Sequence, residues 1–268
     1  MATRPTWPFR LVVNLVRPLA ALLLKRDWRG QENLPVDRGF IAVSNHVSYV
    51  DPLTFGHYLY NSGHPPRFLA KHQLFDIPVV GRVLKSGDQI PVYRGTSQAK
   101  ESLNYAQVVL ERGDMIAMFP EGTLTRDPEM WPMVARTGAA RLALETGAPV
   151  VPVAQWGAHT LLPPYSKKPD LFPRKHMTVV AGPPIDLDDL RGKPLDTEVL
   201  RAATDRIMAT LTVMIGEIRG ETPPDKPFDM RAANSQSAPG NPGVAGNPSA
   251  AGTPNAASKP NATQQDEA

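Results

Sequence analysis

The residues that most directly suggest chemistry in this sequence are His46 and Asp51, which lie five positions apart in the segment 45–51 (NHVSYVD). An imidazole whose Nδ1 is held by a carboxylate keeps Nε2 free to accept a proton, so the pair suits a base that acts on a substrate hydroxyl. Pro52 follows Asp51, and this combination is typical of a helix start, with aspartate as the cap. The pattern therefore predicts His46 on a loop before a helix. The alternative is that Asp51 only caps the helix and His46 packs locally.

A second group of residues suits the binding of an anion. The segment 119–126 (FPEGTLTR) follows an apolar run and combines a glycine turn with Arg126. Lys71 and Arg94 also follow short apolar runs. A phosphomonoester needs cations and backbone donors, and this set supplies both. Taken singly, each basic residue is better explained as a solvated surface charge.

Short apolar runs alternate with helical patterns along the chain. The predicted strands are 40–43, 67–70, 90–93, 115–119, 150–154 and 177–180, and the predicted helices are 52–60, 98–112, 135–146 and 195–219. Several strands are apolar throughout, as expected for a sheet covered on both faces. The alternation predicts a single α/β domain with a mixed, largely parallel sheet flanked by helices. Ligands bind beyond the carboxyl ends of such strands, where His46, Lys71 and Arg94 would converge with the glycine turn.

The N-terminal segment 1–29 has the composition of a membrane-surface helix. The first 30 residues carry six basic side chains against one acidic side chain, although the whole chain has a net charge of only +3. A helix over 11–24 would measure about 21 Å, which is shorter than the ~30 Å hydrocarbon core of a bilayer. We therefore predict that the segment lies in the interface of a membrane with anionic lipids.

The main alternative for the segment 1–29 is an ordinary buried helix. A signal peptide is disfavoured because Lys25 and Arg26 follow the apolar run where a small-residue cleavage site is needed. A nucleic-acid-binding arm is disfavoured because the basic residues are embedded among leucines, so no nucleic-acid partner is expected.

Composition divides the rest of the chain. We predict an interfacial segment over 1–29, the α/β domain over 30–220 and a tail over 221–268. Small and polar residues dominate the tail, most clearly from 232 onward, so it cannot bury enough apolar surface to offset the entropy of ordering and is expected to be disordered. The absence of cysteine excludes disulfides and a cysteine acyl-enzyme.

The sequence resembles the glycerophospholipid acyltransferases, specifically the bacterial 1-acylglycerol-3-phosphate acyltransferases. Four family blocks occur in order over roughly residues 30–185. These are NHxxxxD at 45–51, a block ending in arginine at 92–94, FPEGT at 119–123 and a proline-containing block at 150–153. The sequence departs from the family at Leu124, where many members have an arginine, and at Gln73, where glutamate is frequent.

The resemblance implies transfer of a fatty acyl group from acyl-CoA or acyl carrier protein to the sn-2 hydroxyl of lysophosphatidic acid. The product is phosphatidic acid, and no cofactor is expected. His46 is implied as the catalytic base and Asp51 as its partner. The implied substrate-binding residues are Asn45, Lys71, Arg94, Glu121, Gly122, Thr123 and Arg126. The implied location is the cytoplasmic face of the cell membrane, with peripheral or monotopic attachment.

The sequence is also compatible with rival functions. The acceptor could be another lysophospholipid or a glycolipid. A serine hydrolase would use Ser44 or Ser48 beside His46, but the chain has no G-x-S-x-G elbow. A non-catalytic module would bind lipid phosphate through the basic loops. A metal enzyme is remote because the histidines are dispersed.

Overall fold

The structure, a computed structural model, describes residues 6–93, 99–230 and 232–233. The α-helices of these residues are α1 (Trp7–Leu23), α2 (Asp51–Asn61), α3 (Pro78–Ser86), α4 (Ala99–Glu111), α5 (Gly138–Thr146), α6 (Ala158–Leu161) and α7 (Thr197–Arg219). The strands are β1 (Leu24–Arg29), β2 (Ile41–Val43), β3 (Arg67–Lys71), β4 (Ile90–Val92), β5 (Ile116–Met118), β6 (Val150–Trp156) and β7 (Lys175–Ala181). The described residues up to 230 belong to one compact unit.

The strands form one mixed sheet in the order β1-β7-β6-β2-β5-β3-β4. The neighbours are parallel except for the antiparallel pair β6 and β7. The predicted fold class is confirmed, and each of the six predicted strands is present. Strands β2 to β6 all run in the same direction, so their carboxyl ends lie at one edge of the sheet, as the sequence predicted.

The apolar strands are explained by cores on both faces of the sheet. In β2, Ile41 and Val43 belong to the core beneath α4, α5 and α7, whereas Ala42 belongs to the core that α2 covers. All three residues are completely buried. Because successive side chains of a strand point to opposite faces, a strand covered on both sides must be apolar at every position.

Capping residues explain where several helices begin and end. The Asp196 carboxylate accepts a hydrogen bond from Val199 N at 2.9 Å at the start of α7, and Gly220 ends that helix at φ 66°. Gly147 ends α5 at φ 71°, as its sequence position predicted. The predicted start of α5 at 135 is wrong. The helix begins at Gly138 because Arg136 N donates to Pro120 O instead.

The N-terminal segment forms helix α1, which contains Pro18 and is followed directly by β1. Residues 24–29 of the segment that the sequence assigned to the membrane interface therefore form an edge strand, paired with β7. Within the described ranges, none of the helices is both long enough and apolar enough to cross a bilayer.

Residues 221–230 of the predicted tail lie against the α/β domain. Phe228 O accepts a hydrogen bond from Val134 N at 3.0 Å. The rest of the predicted tail, apart from 232 and 233, lies outside the described residues.

Candidate active site

The predicted site residues that the structure describes lie at the ends of parallel strands or on the segments that follow them. His46 lies three residues after β2, Glu121 lies three residues after β5, and Lys71 is the last residue of β3. Since β5 pairs with both β2 and β3, these three residues lie at one edge of three adjacent strands. Arg94 follows β4 in the sequence but lies outside the described residues.

His46 and Asp51 are in direct contact. Nδ1 of His46 lies 2.9 Å from Oδ2 of Asp51, whose side chain is completely buried, whereas the His46 side chain is 15% exposed. The same Oδ2 accepts hydrogen bonds from Val47 N at 2.6 Å and Ser48 N at 2.7 Å. Asp51 is the first residue of α2 and bonds the amides of the loop before the helix, which corrects the expectation that it caps the helix. The carboxylate thus fixes both the loop and the imidazole.

Glu121 fixes the main chain of His46. Its Oε1 accepts a hydrogen bond from His46 N at 3.0 Å, and its Oε2 accepts one from Met133 N at 3.1 Å. Thr125 N donates to His46 O at 2.7 Å, so both main-chain polar groups of His46 bond to the loop that follows β5. Burial raises the pKa of Glu121 to about 8, and the two amides that donate to it act in the opposite direction. Glu121 holds loop amides in this structure, whereas the sequence assigned it to substrate binding.

Asn45 belongs to a buried hydrogen-bond network with Gln155 of β6. Asn45 Nδ2 donates to Gln155 O at 3.0 Å, and Gln155 N donates to Asn45 Oδ1 at 2.9 Å. Gln155 Nε2 reaches Asn45 O at 3.3 Å, and Thr54 Oγ1 donates to Gln155 Oε1 at 2.8 Å. Thr54 lies on α2, the helix that begins at Asp51. Gln155 therefore connects the residue before the imidazole with the helix that carries the carboxylate, and all three residues of the network are buried.

The imidazole of His46 lies flat against an aromatic ring. The His46 and Phe119 rings are stacked, with their centroids 4.1 Å apart and their planes 18° apart. Phe119 in turn lies nearly parallel to Phe68 of β3, with centroids 6.1 Å apart. Lys71 is three residues beyond Phe68 and is exposed. Contact with Phe119 restricts rotation of the imidazole and excludes water from one of its faces.

The loop after β5 presents the remaining predicted residues. Gly122 adopts φ 76°, a backbone conformation that favours glycine, and its amide donates to Phe119 O at 3.0 Å. Thr123 follows on this turn and is partly exposed. Arg126 is exposed, and its guanidinium lies 4.6 Å from the ring centroid of Tyr165. The Tyr165 hydroxyl donates to Leu124 O at 2.9 Å, which connects this loop to the segment after α6.

The serines proposed for a hydrolase have other partners. Ser48 Oγ donates to Leu162 O at 2.7 Å and accepts from Val50 N at 3.1 Å, and Ser48 is completely buried. Ser44 is also completely buried, and its hydroxyl points to Asn45 O at 3.4 Å. Neither hydroxyl bonds to His46, so a serine nucleophile activated by this imidazole lacks the required geometry. Among the described residues, no cluster of three or more histidine and acidic side chains is arranged to bind a metal ion.

The fold and the imidazole–carboxylate pair define an α/β protein with a candidate acid–base site, and comparison with known proteins specifies its class. A model of the acyltransferase family matches residues 25–156. The 1-acyl-sn-glycerol-3-phosphate acyltransferase of Bacillus subtilis is 31% identical over 205 residues, which cover 74% of this chain and 92% of that protein. The chain therefore belongs to the acyltransferase family, and the resemblance stated from the four sequence blocks is confirmed.

Further relatives match over a shorter region. The chloroplastic 1-acyl-sn-glycerol-3-phosphate acyltransferase BAT2 of Brassica napus is 33% identical over 141 residues, which cover 52% of this chain and 39% of that protein. The Borreliella burgdorferi protein of the same description is 33% identical over 131 residues and is matched over 50% of its length. The chain thus spans about half or less of these two relatives.

A solved structure shares the fold. The crystal structure of the 1-acyl-sn-glycerophosphate (LPA) acyltransferase PlsC from Thermotoga maritima superimposes with a TM-score of 0.59 and 24% sequence identity, covering 81% of each chain. At this identity, the likeness supports the α/β architecture that places His46 at the end of β2.

Proposed function

We propose that the protein is a 1-acylglycerol-3-phosphate O-acyltransferase, which transfers a fatty acyl group from a thioester to the free sn-2 hydroxyl of lysophosphatidic acid and gives phosphatidic acid. The observation that carries the proposal is the 2.9 Å contact between His46 Nδ1 and the buried Asp51 carboxylate. This contact orients the imidazole as a base in a chain of the acyltransferase family. We take lysophosphatidic acid as the acceptor because the relatives are named for acyl transfer to 1-acyl-sn-glycerol-3-phosphate.

The geometry supports direct transfer without an acyl-enzyme. With its Nδ1 proton held by Asp51, His46 accepts the proton of the glycerol hydroxyl at Nε2, and the alcohol oxygen attacks the thioester carbonyl. The tetrahedral intermediate collapses when the carbon–sulfur bond breaks, and the thiolate leaves with the proton returned by the imidazolium. The negative charge of Asp51 stabilises that imidazolium while it exists. The donor is acyl-CoA or acyl carrier protein thioester, and no cofactor takes part.

The acceptor phosphate is assigned to the cations at the same edge of the sheet. Lys71 and Arg126 are both exposed there, and the turn at Gly122 and Thr123 adjoins His46 through the loop after β5. Guanidinium and ammonium groups are the usual partners of a phosphomonoester. Arg94, which lies outside the described residues, is assigned to the same anion because of its family block.

Asn45 and Glu121 are assigned to positioning the base. Both are buried; Asn45 donates to the main chain of Gln155 in β6, and Glu121 accepts from the amide of His46. We propose that they hold the His46 loop in place, and that any effect of their loss on substrate binding passes through this loop.

Helix α1 is assigned to the membrane surface. Its large exposed apolar residues recur about every four positions and so share one face; they are Trp7, Leu11, Leu15, Leu19 and Leu22. Arg10 and Arg17 are exposed beside this face. An apolar face flanked by cations is typical of a helix that lies in the head-group region of an anionic bilayer. We propose peripheral or monotopic attachment to the cytoplasmic face of the cell membrane.

The test is product analysis by lipid mass spectrometry. Purified protein is supplied with acyl-CoA or acyl carrier protein thioester and with a panel of lysophosphatidate, other lysophospholipids and glycolipids. We expect phosphatidate to form from lysophosphatidate, with one free thiol released per ester. Faster acylation of another acceptor would overturn the substrate assignment. The absence of thiol release with every combination would favour a non-catalytic lipid-binding module.

A further inference from the structure

A short surface segment between β3 and the middle of α3 exposes large apolar side chains. Within residues 74–80, Leu74 is 40% exposed, Ile77 45%, Val79 70% and Val80 41%. Single exposed apolar residues are ordinary on protein surfaces, but four within seven positions form a patch that usually marks an interaction site. We call this segment the apolar tip.

The backbone of the apolar tip is held in a defined conformation. Gly81 is buried, and a Cβ added to it would lie 2.0 Å from Phe75 O, so only glycine allows this approach. Gly81 N donates to Ile77 O at 2.7 Å, and Pro78 occupies the first turn of α3. The chain therefore presents the apolar side chains outward from a tight turn.

The apolar tip lies beside the candidate active site and is bordered by positive charge. It begins three residues after Lys71, which ends β3 at the same sheet edge as His46. Arg82 and Lys85 are exposed on α3, and the tip contains one acidic residue, Asp76, which is also exposed. Apolar side chains among a small excess of cations complement the head groups and outer acyl region of an anionic bilayer.

The apolar tip is also continuous with helix α1. Thr6 Oγ1 hydrogen-bonds to Ser86 O at the end of α3. Phe9 packs against Gly87, where an added Cβ would lie 2.3 Å from the phenylalanine ring. Helices α1 and α3, which both expose apolar side chains, therefore contact each other.

We propose that the apolar tip is a second bilayer contact, which inserts into an anionic lipid surface next to the active site and orients that site towards membrane-embedded acceptor. The inference rests on the proposed function, because a membrane-embedded lipid acceptor requires the active-site edge of the sheet to face the membrane. An acidic carrier protein would also match the charge. The contact with α1 favours the bilayer, because α1 also exposes apolar side chains beside basic residues along a 17-residue helix.

The experiment uses the full chain with Val79→Asp and Val80→Asp combined. Both side chains are exposed, so the fold should be retained, and a melting curve verifies this. The matched control is Val36→Asp, because Val36 is 90% exposed and precedes β2 at the amino end of the sheet. We expect the double variant to partition into phosphatidylglycerol–phosphatidylethanolamine vesicles roughly tenfold or more weakly than wild type, and the control to bind like wild type.

Activity on two forms of the acceptor separates the possible roles of the tip. The double variant should lose activity on lysophosphatidate in vesicles and keep wild-type kcat/KM on a short-chain, monomeric lysophosphatidate. Wild-type vesicle binding would overturn the proposal. An equal loss on the monomeric acceptor would show that the tip contacts substrate instead. A raised KM for acyl carrier protein thioester with normal sedimentation would show that it docks the carrier. Sedimentation needs no catalysis, so failure of the proposed acyl transfer is measured separately.

Discussion

At the scale of single residues, four neighbouring residues fix the position of His46. Asp51 holds Nδ1, Glu121 and Thr125 hold its main chain, and Phe119 lies against its ring. These contacts come from the loop after β5 and from α2, so the orientation of the base depends on the relative placement of β2, β5 and α2. General-base catalysis requires this kind of restraint, because proton transfer needs hydrogen-bond distance and alignment.

The buried network around Gln155 leads to the first prediction. Gln155→Leu roughly preserves volume but removes one hydrogen bond from Asn45 O and one from Thr54 Oγ1. The two atoms keep contacts with Ser44 Oγ and Asp51 O, and each lost buried hydrogen bond costs about 0.5–1.5 kcal/mol. We expect a lower melting temperature and a kcat reduced by roughly tenfold or more per folded molecule, with KM values close to wild type, because the imidazole and the carboxylate lose their shared connection.

Steady-state kinetics on the folded fraction, with the exposed Gln31→Leu as the control, checks this expectation. A variant that is less stable but has an unchanged kcat would assign Gln155 a structural role only.

The sequence predicts the local contacts of this site but not the contacts that depend on the order of the strands. His46 and Asp51 were recognisable because their spacing is local. The stacking of Phe119 on His46 joins residues 73 positions apart, and such a contact follows from strand order, which the sequence did not specify. Gln155 could have been recognised from the sequence, because it is a polar residue within an apolar strand. It is the only uncharged polar side chain able to donate and accept in the strand 150–156, and such a buried residue requires partners.

At the scale of elements, the parallel strands account for the site. The described segments with predicted residues follow β2, β3 and β5, and these parallel strands bring the segments to one edge. The sequence predicted these strands from their short apolar runs, and β2 and β5 are apolar at every position. It missed β1, whose segment 24–29 contains three basic residues and one acidic residue and forms the sheet edge. It also missed α3, a short helix that exposes Val79 and Val80.

Helix α2 leads to a prediction about pH. His57 is buried on this helix and lies edge-to-face against Trp28, with ring centroids 4.9 Å apart. Burial, with smaller contributions from Arg26 and Arg17, lowers the pKa of His57 from 6.5 to about 4. Between pH 6.5 and about 4, His57 is therefore protonated in the unfolded chain but stays neutral in the native state. We expect His57 to make the protein lose stability as the pH falls from about 6.5 to about 4.

The measurement is the melting temperature of wild type and His57→Phe over that pH range, with the exposed His176→Phe as the control. The phenylalanine ring keeps the contact with Trp28 but cannot titrate, so the fall in melting temperature should be smaller in this variant than in wild type. Parallel curves for the two proteins would contradict the assignment.

At the scale of the whole molecule, large exposed apolar residues are concentrated on α1, at the amino end of the chain where basic residues are also frequent. The first 30 residues carry six basic side chains and one acidic side chain, an excess larger than the net charge of +3 of the whole chain. The exposed leucine face of α1 leads to the prediction that Leu11→Asp with Leu15→Asp weakens vesicle binding, because two charges then replace apolar contact with the lipid.

Co-sedimentation with anionic vesicles tests the effect of these α1 substitutions. Val213→Asp on α7 is the matched control, since Val213 is also exposed on a helix. Sedimentation of the α1 variant at the wild-type level would refute the membrane assignment of this helix.

The central claim is that one imidazole activates the acceptor hydroxyl, and the most direct measurement is the rate of ester formation by His46→Ala with acyl-CoA and lysophosphatidate. The variant should melt like wild type and lose at least about a hundredfold in kcat, the lower range for removal of a general base, while His176→Ala keeps full activity. Ester formation by a folded His46→Ala protein at the wild-type rate would contradict the account.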